Sequence, residues 1–125
     1  MKYKLVARVN PQDRSKQKLY AAPVMDGKIT QNDLKKEIVQ LSSLSKGDVS
    51  NVIESFIDVI PKYLLIGKSV SLGELGTLRL SFTSEGVANE GEFTVSKIKG
   101  VRVLFTPSPA LRKSIEDVSF EKVSE

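Results

Sequence analysis

Two helix starts, written one after the other, constrain this chain more than any other feature. Thr30 is followed three residues on by Asp33, and Ser45 by Asp48. Each pair has the form of a capping box, in which the hydroxyl accepts a bond from a first-turn N–H and the acid returns one, with Asp in place of the usual Glu or Gln. Ile29 with Leu34, and Leu44 with Val49, stand where hydrophobic staples would. Leu34, Ile38, Val39 and Leu41 continue the first helix, which ends at Ser42-Ser43. Val49, Val52, Ile53, Phe56, Ile57, Ile60 and Leu64 form the stripe of the second, which stops at Gly67, a suitable residue just past a helix end. Pro61 should kink or loosen its last turn.

The apolar face of that second helix is wider than one short partner helix can cover. Two covers are open: a second copy of the chain, or the strands that precede the helices. A width of this kind points to the second copy, with Val52, Phe56, Ile57, Ile60 and Leu64 as the homodimer interface.

The rest reads as β-structure with one short helix. Strands 4–9 and 18–24 flank a polar loop, 10–16, with turn chemistry. Pro23 confines the second strand to a sheet edge or marks its end. Residues 68–72 and 77–82 alternate on either side of the turn Gly73-Glu74-Leu75-Gly76. Residues 83–99 are polar and contain glycine, as a long hairpin arm or flexible loop would, and 99–105 form the return strand. Ser108 can cap a short helix through Leu111 and Ile115, with Pro109 at its first position. The fold class is α+β, divided into a β-strand extension (1–28), a body (29–117, arm 83–99) and an extended or frayed tail (118–125).

Composition removes most chemistry. The chain has no cysteine and no histidine. Disulfides, thiolate metal sites, the Ser-His-Asp triad and the usual zinc sites go with them. Glu74, Glu85, Glu90 and Glu92 are the acids one would nominate for catalysis, but acids in polar glycine-rich loops stay solvated and unshifted. Their spacing lacks the EF-hand pattern, and there is no phosphate-cradling glycine loop. The expectation is a protein that is not an enzyme, with no cofactor, no metal and no small-molecule substrate. No apolar run could span a bilayer, and the apolar stretch at the N-terminus is too short for a signal peptide, so the cytoplasm is expected, with no membrane partner. The net charge of +4 suits a polyanion without demanding one. The surplus sits in residues 1–28, with seven Lys/Arg against two acids, while 67–125 carry eight of each.

The order helix, turn, helix, short strand, Gly-x-x-Gly turn, strand, long arm, return strand, short helix resembles the HU and integration host factor family of bacterial histone-like proteins. Leu44-Ser45-Lys46 matches the inter-helix turn, Gly73-Glu74-Leu75-Gly76-Thr77-Leu78 the family's Gly-Phe-Gly-Thr-Phe signature, and residues 105–113 the closing segment, with a basic residue at Arg112. The match covers about 29–115, and residues 1–28 are similar to an extended branch of HU-like proteins that begin with strands. The resemblance implies an HU/IHF-like fold: a helix pair, a three-stranded antiparallel sheet with a long β-arm, and a short C-terminal helix. It further implies a dimer, homo- or hetero-, that binds double-stranded DNA with little sequence preference, in the nucleoid. Family members carry basic arms with an Arg-Asn-Pro tip whose proline wedges into the minor groove. Here residues 84–93 hold three acids, no base and no proline, which puts that wedge in doubt.

What could hold DNA instead is the charge at the arm's flanks: Arg79 before it, and Lys97, Lys99 and Arg102 after it. By strand alternation Arg79 and Arg102 point away from their apolar neighbours and could share a sheet face. In the resembled family the starts of two helices approach the DNA backbone, which here are Thr30 and Ser108, with Arg112 and Lys113 one turn into the latter. Ordinary capping and ordinary solvated strand faces account for the same residues. Lys2, Lys4, Arg8, Arg14, Lys16 and Lys18 form a further basic group in the extension. The rival reading is a degenerate HU-type dimer kept as a protein-interaction module, favoured by the acidic arm.

Overall fold

Both capping boxes form in the computed structural model, which describes residues 1–123. At the head of α1 (Gln31–Leu41), Thr30 Oγ1 accepts from the Asp33 N–H at 3.2 Å and Asp33 Oδ2 accepts from the Thr30 N–H at 3.0 Å. Ser45 and Asp48 repeat this for α2 (Lys46–Leu64) at 3.1 and 3.3 Å. Pro61 does not end α2, because it removes only the N–H that would have bonded the Ile57 carbonyl. Beyond the helix, Gly67 takes φ 85°, its N–H bonds the Leu64 carbonyl at 3.0 Å, and the Lys68 N–H returns to Tyr63 at 3.1 Å. That pair of bonds satisfies carbonyls the helix end leaves free, and its left-handed residue is best a glycine.

The strands form two separate sheets. In the first, β1 (Lys2–Asn10) pairs antiparallel with β2 (Asp13–Val24) and parallel with β6 (Glu121–Lys122), in the order β2-β1-β6. In the second, β3 (Val70–Ser71), β4 (Gly76–Ser84) and β5 (Ile98–Pro107) are antiparallel in the order β3-β4-β5. Helix α3 (Pro109–Ser114) follows, closed by a 3-10 turn at Ile115–Asp117. Pro23 lies in the edge strand β2, where a missing N–H costs no ladder bond on the solvent side.

Three expectations about these strands change. The loop expected over 10–16 is a two-residue turn, Pro11-Gln12, after which β2 starts at once. The Asn10 side chain accepts from the Gln12 N–H, Asp13 accepts from the Ser15 N–H and hydroxyl, and residues 14–16 are taken up as an irregularity in the register. These hydrogen bonds also lower the pKa of Asp13. The strand over 68–72 shrinks to Val70–Ser71. The long β-arm is absent: strand pairing ends at Ser84↔Ile98, and the segment between coils into 3-10 turns at Glu90–Glu92 and Val95–Lys97. The glycines and acids there supply no alternating apolar face to hold two strands together. Of the two forms expected for the tail it takes the extended one, with Glu121–Lys122 added to β1; its last two residues, 124–125, lie outside the described residues.

Helix α1 packs on α2, and α2 on β3 and β4, while the first sheet has little packing against them. Among the described residues the only buried apolar side chains are Val49 (3% exposed) and Leu64 (7%), and Gly76 is buried as well. Leu64 therefore belongs to the chain's own core and leaves the expected dimer face. The chain exposes 10620 Å², whereas a compact monomer of this mass exposes about 6,600 Å².

Candidate nucleic-acid interface

The register of β4 and β5 decides where the flank charges go. Directly opposed residues of an antiparallel pair share a face. Arg79 opposes Leu104 and Ser81 opposes Arg102, so Arg79 and Arg102 are diagonal neighbours on one face. The other face carries Leu78, Leu80, Phe82, Val103 and Phe105.

Past Ser81 the register shifts by one, and Thr83 opposes Lys99. Gly100, at φ 62°, stands at this irregularity with Val101, so two residues of β5 face Phe82 alone. Such a bulge turns the following side chains to the other face. Without it Lys99 would oppose Ser84 and leave the arginines; with it, Lys99 joins them. Thr83 Oγ1 closes the bulge by donating to the Lys99 carbonyl at 3.1 Å, and a Cβ on Gly100 would stand 3.2 Å from that hydroxyl oxygen of Thr83.

One carboxylate qualifies this surface. Glu85 lies 3.6 Å from Lys97 Nζ and is also ion-paired and hydrogen-bonded to Lys99 Nζ. Arg79, Arg102, Arg112 and Lys113 are in no ion pair among the described residues. Sequence reasoning passed over the role of Gly100, and it weighed Glu85 as a catalytic acid and not as a partner of Lys97 and Lys99. A glycine inside a strand pattern is a bulge signal, so Gly100 could have been found; the pairing of Glu85 depends on how the turn folds back.

Helix α3 is bolted to the Gly-x-x-Gly turn. Ser108 accepts from the Leu111 N–H at 3.0 Å, its hydroxyl donates to the Glu74 carbonyl, and its own N–H donates to Leu75 at 3.2 Å. Gly76 makes this closeness feasible, because a Cβ there would overlap the Thr106 carbonyl oxygen and come within 2.6 Å of the Phe105 ring. Arg112 and Lys113 sit in the last turn of α3, where cations complement the helix dipole. Thr30 is placed differently. Its N–H and hydroxyl both donate to Asp33 Oδ2, which holds that carboxyl below the usual range. The start of α1 is thus already occupied by an anion of the chain itself.

Along α2, Val52, Phe56 and Ile57 are exposed, Ile60 is half-buried, and Asn51, Val52, Ser55, Phe56 and Val59 line a shallow apolar hollow. No cluster of acids that could hold a metal ion occurs among the described residues, and no described helix is long and apolar enough to cross a membrane.

Residues 1–122 match the model of a family, HU-HIG, described as an HU domain fused to wHTH, Ig, or glycine-rich motif. The fold is similar to a crystal structure from Bacteroides vulgatus ATCC 8482, of a protein provisionally described as a bacterial DNA binding protein. The TM-score is 0.63 at 20% identity, over 98% of this chain and 47% of that one. This chain therefore spans about half the length of that neighbour. No curated protein sequence matches it.

Proposed function

The chain belongs to the HU-HIG family of HU domains, and from that membership we propose that it binds double-stranded DNA as a homodimer, coating or bending it with little sequence preference. The observation that carries this reading is the β4–β5 register, with its Gly100 bulge, which gathers Arg79, Arg102 and Lys99 on one face. Arg112 and Lys113 on α3 add charge. These charges suit contact with phosphates, so binding should fall steeply with salt; in this reading the protein is an architectural component of the nucleoid and not an enzyme. The tip holds Glu90 and Glu92 and no proline, which argues against the proline wedge of the resembled family.

The dimer rests on area. The chain exposes about 4,000 Å² more than a compact monomer would, and an obligate dimer, which covers about 1,000–2,500 Å² on each copy, accounts for a large part of that excess. The exposed Val52, Phe56 and Ile57 form the centre of the face a second copy covers.

Replacing Arg79 and Arg102 together by Ala tests the site. Affinity for a random duplex of about 30 base pairs should fall, and the salt dependence should flatten by about 1.8 per chain. Glu85, which holds Lys97 and Lys99, favours a second reading, an HU-type dimer that docks protein and not DNA. The same titration separates the two, because that dimer binds no duplex even at low salt.

A further inference from the structure

The β1–β2 hairpin is two-faced. Tyr3, Leu5, Ala7 and Val9 share one side with Leu19 and Ala21, whereas Lys4, Val6 and Arg8 share the other with Lys18 and Tyr20. Arg8 opposes Lys18, its guanidinium lies 5.6 Å from the centroid of the Tyr20 ring, and Lys16 lines the same open cleft. Solvated strand faces usually mix charges of both signs, but this one has no acid. Lys2 is tied to Asp26 at 3.3 Å, and the Asp13 carboxylate at the hairpin end is engaged by Ser15. Lys4, Arg8, Lys16 and Lys18 are in no ion pair among the described residues.

We infer that this basic face of the hairpin is a second duplex-DNA contact, separate from the β4–β5 face and α3. Charge complementarity identifies the partner: four unpaired cations on one side of a two-stranded ribbon fit a surface of dense, regular negative charge. Lys4 and Arg8 stand about 14 Å apart along β1, a span that meets several successive phosphates, and a two-stranded β-ribbon is an element the major groove admits. That the polyanion is DNA rests on the function proposed above; that the hairpin contacts it does not follow from that function.

The test compares the full chain with the variant Arg8→Gln/Lys16→Gln/Lys18→Gln, three exposed changes whose folding is checked by circular dichroism. Both are titrated with a duplex of about 30 base pairs over a series of salt concentrations, and with polyglutamate. Loss of three phosphate contacts should reduce the slope of log affinity against log salt by about 2 to 3 per chain, and should weaken binding at least on the order of 10- to 100-fold near physiological salt. If the variant binds the duplex with unchanged slope, the inference fails while DNA binding stands. If the unaltered chain binds no duplex, both fail. Binding to polyglutamate that the variant loses, with duplex binding unchanged, would give the face to an acidic protein and overturn the inference.

Discussion

Phe56→Asp should dissociate the protein. Phe56 is 54% exposed in the single chain, and of the roughly 200 Å² an aromatic side chain can bury, about 110 Å² remains for a second copy to cover. At about 25 cal/mol per Å² that is close to 2.7 kcal/mol. A two-fold interface contains the residue twice, so the dimer should lose about 5 kcal/mol, on the order of 10⁴ in its dissociation constant. Burying a carboxylate makes the loss larger. Sedimentation equilibrium over about 0.1–100 µM, with circular dichroism on the same samples, reads the outcome. The unaltered chain should be dimeric throughout. The variant should be monomeric, with a thermal midpoint lower than the parent's, because little of the single chain is buried. A parent that sediments as a well-folded monomer, or a variant with undiminished dimer mass, would refute the area argument.

Three further outcomes follow from particular contacts. Glu85→Gln should free Lys97 and Lys99, raising duplex affinity several-fold and steepening its salt dependence by about 1 to 2; an unchanged slope would mean that these lysines face away from DNA. Gly76→Ala should destabilise the fold by about 3 kcal/mol or more, since the new methyl meets the Thr106 carbonyl and the Phe105 ring. Gly86→Ala, with open space around it, should change stability by less than about 0.5 kcal/mol, both variants being compared with the parent by urea unfolding. Hydrogen bonds from the Thr30 N–H and hydroxyl lower the Asp33 pKa in the folded chain. The stability this lends is therefore present above the ordinary carboxylate value of about 3.9 and is lost as pH falls through the lower folded value. Asp33→Asn should accordingly melt below the parent at neutral pH and converge with it in strong acid, whereas a gap independent of pH would remove the charge from the explanation.

What could be read from the residues was the local chemistry. Thr30 and Ser45 announce helix starts because a cap needs only its own first turn, and Ser108-Pro109 does the same for α3. The glycines at 73 and 76 mark a turn, although the reason Gly76 is needed, its approach to Thr106, appears only once β5 lies alongside. What was not legible depended on partners distant in sequence. The addition of β6 to β1 joins residues 2–3 to 121–122, and no pattern within two-residue strands forecasts that. The collapsed arm was misread because a polar, glycine-containing stretch between two strands specifies neither length nor pairing. The candidate DNA face lay between these cases: alternation put Arg79 and Arg102 together, but only the bulge at Gly100 brought Lys99 to them, and only the folded turn brought Glu85 against Lys97 and Lys99.

The central claim, that this chain is a salt-sensitive DNA binder, is tested most directly by titrating the unaltered protein against a random-sequence duplex of about 30 base pairs at low and at near-physiological salt. The account predicts micromolar or tighter binding at low salt that weakens steeply between the two conditions. No binding at low salt would contradict it.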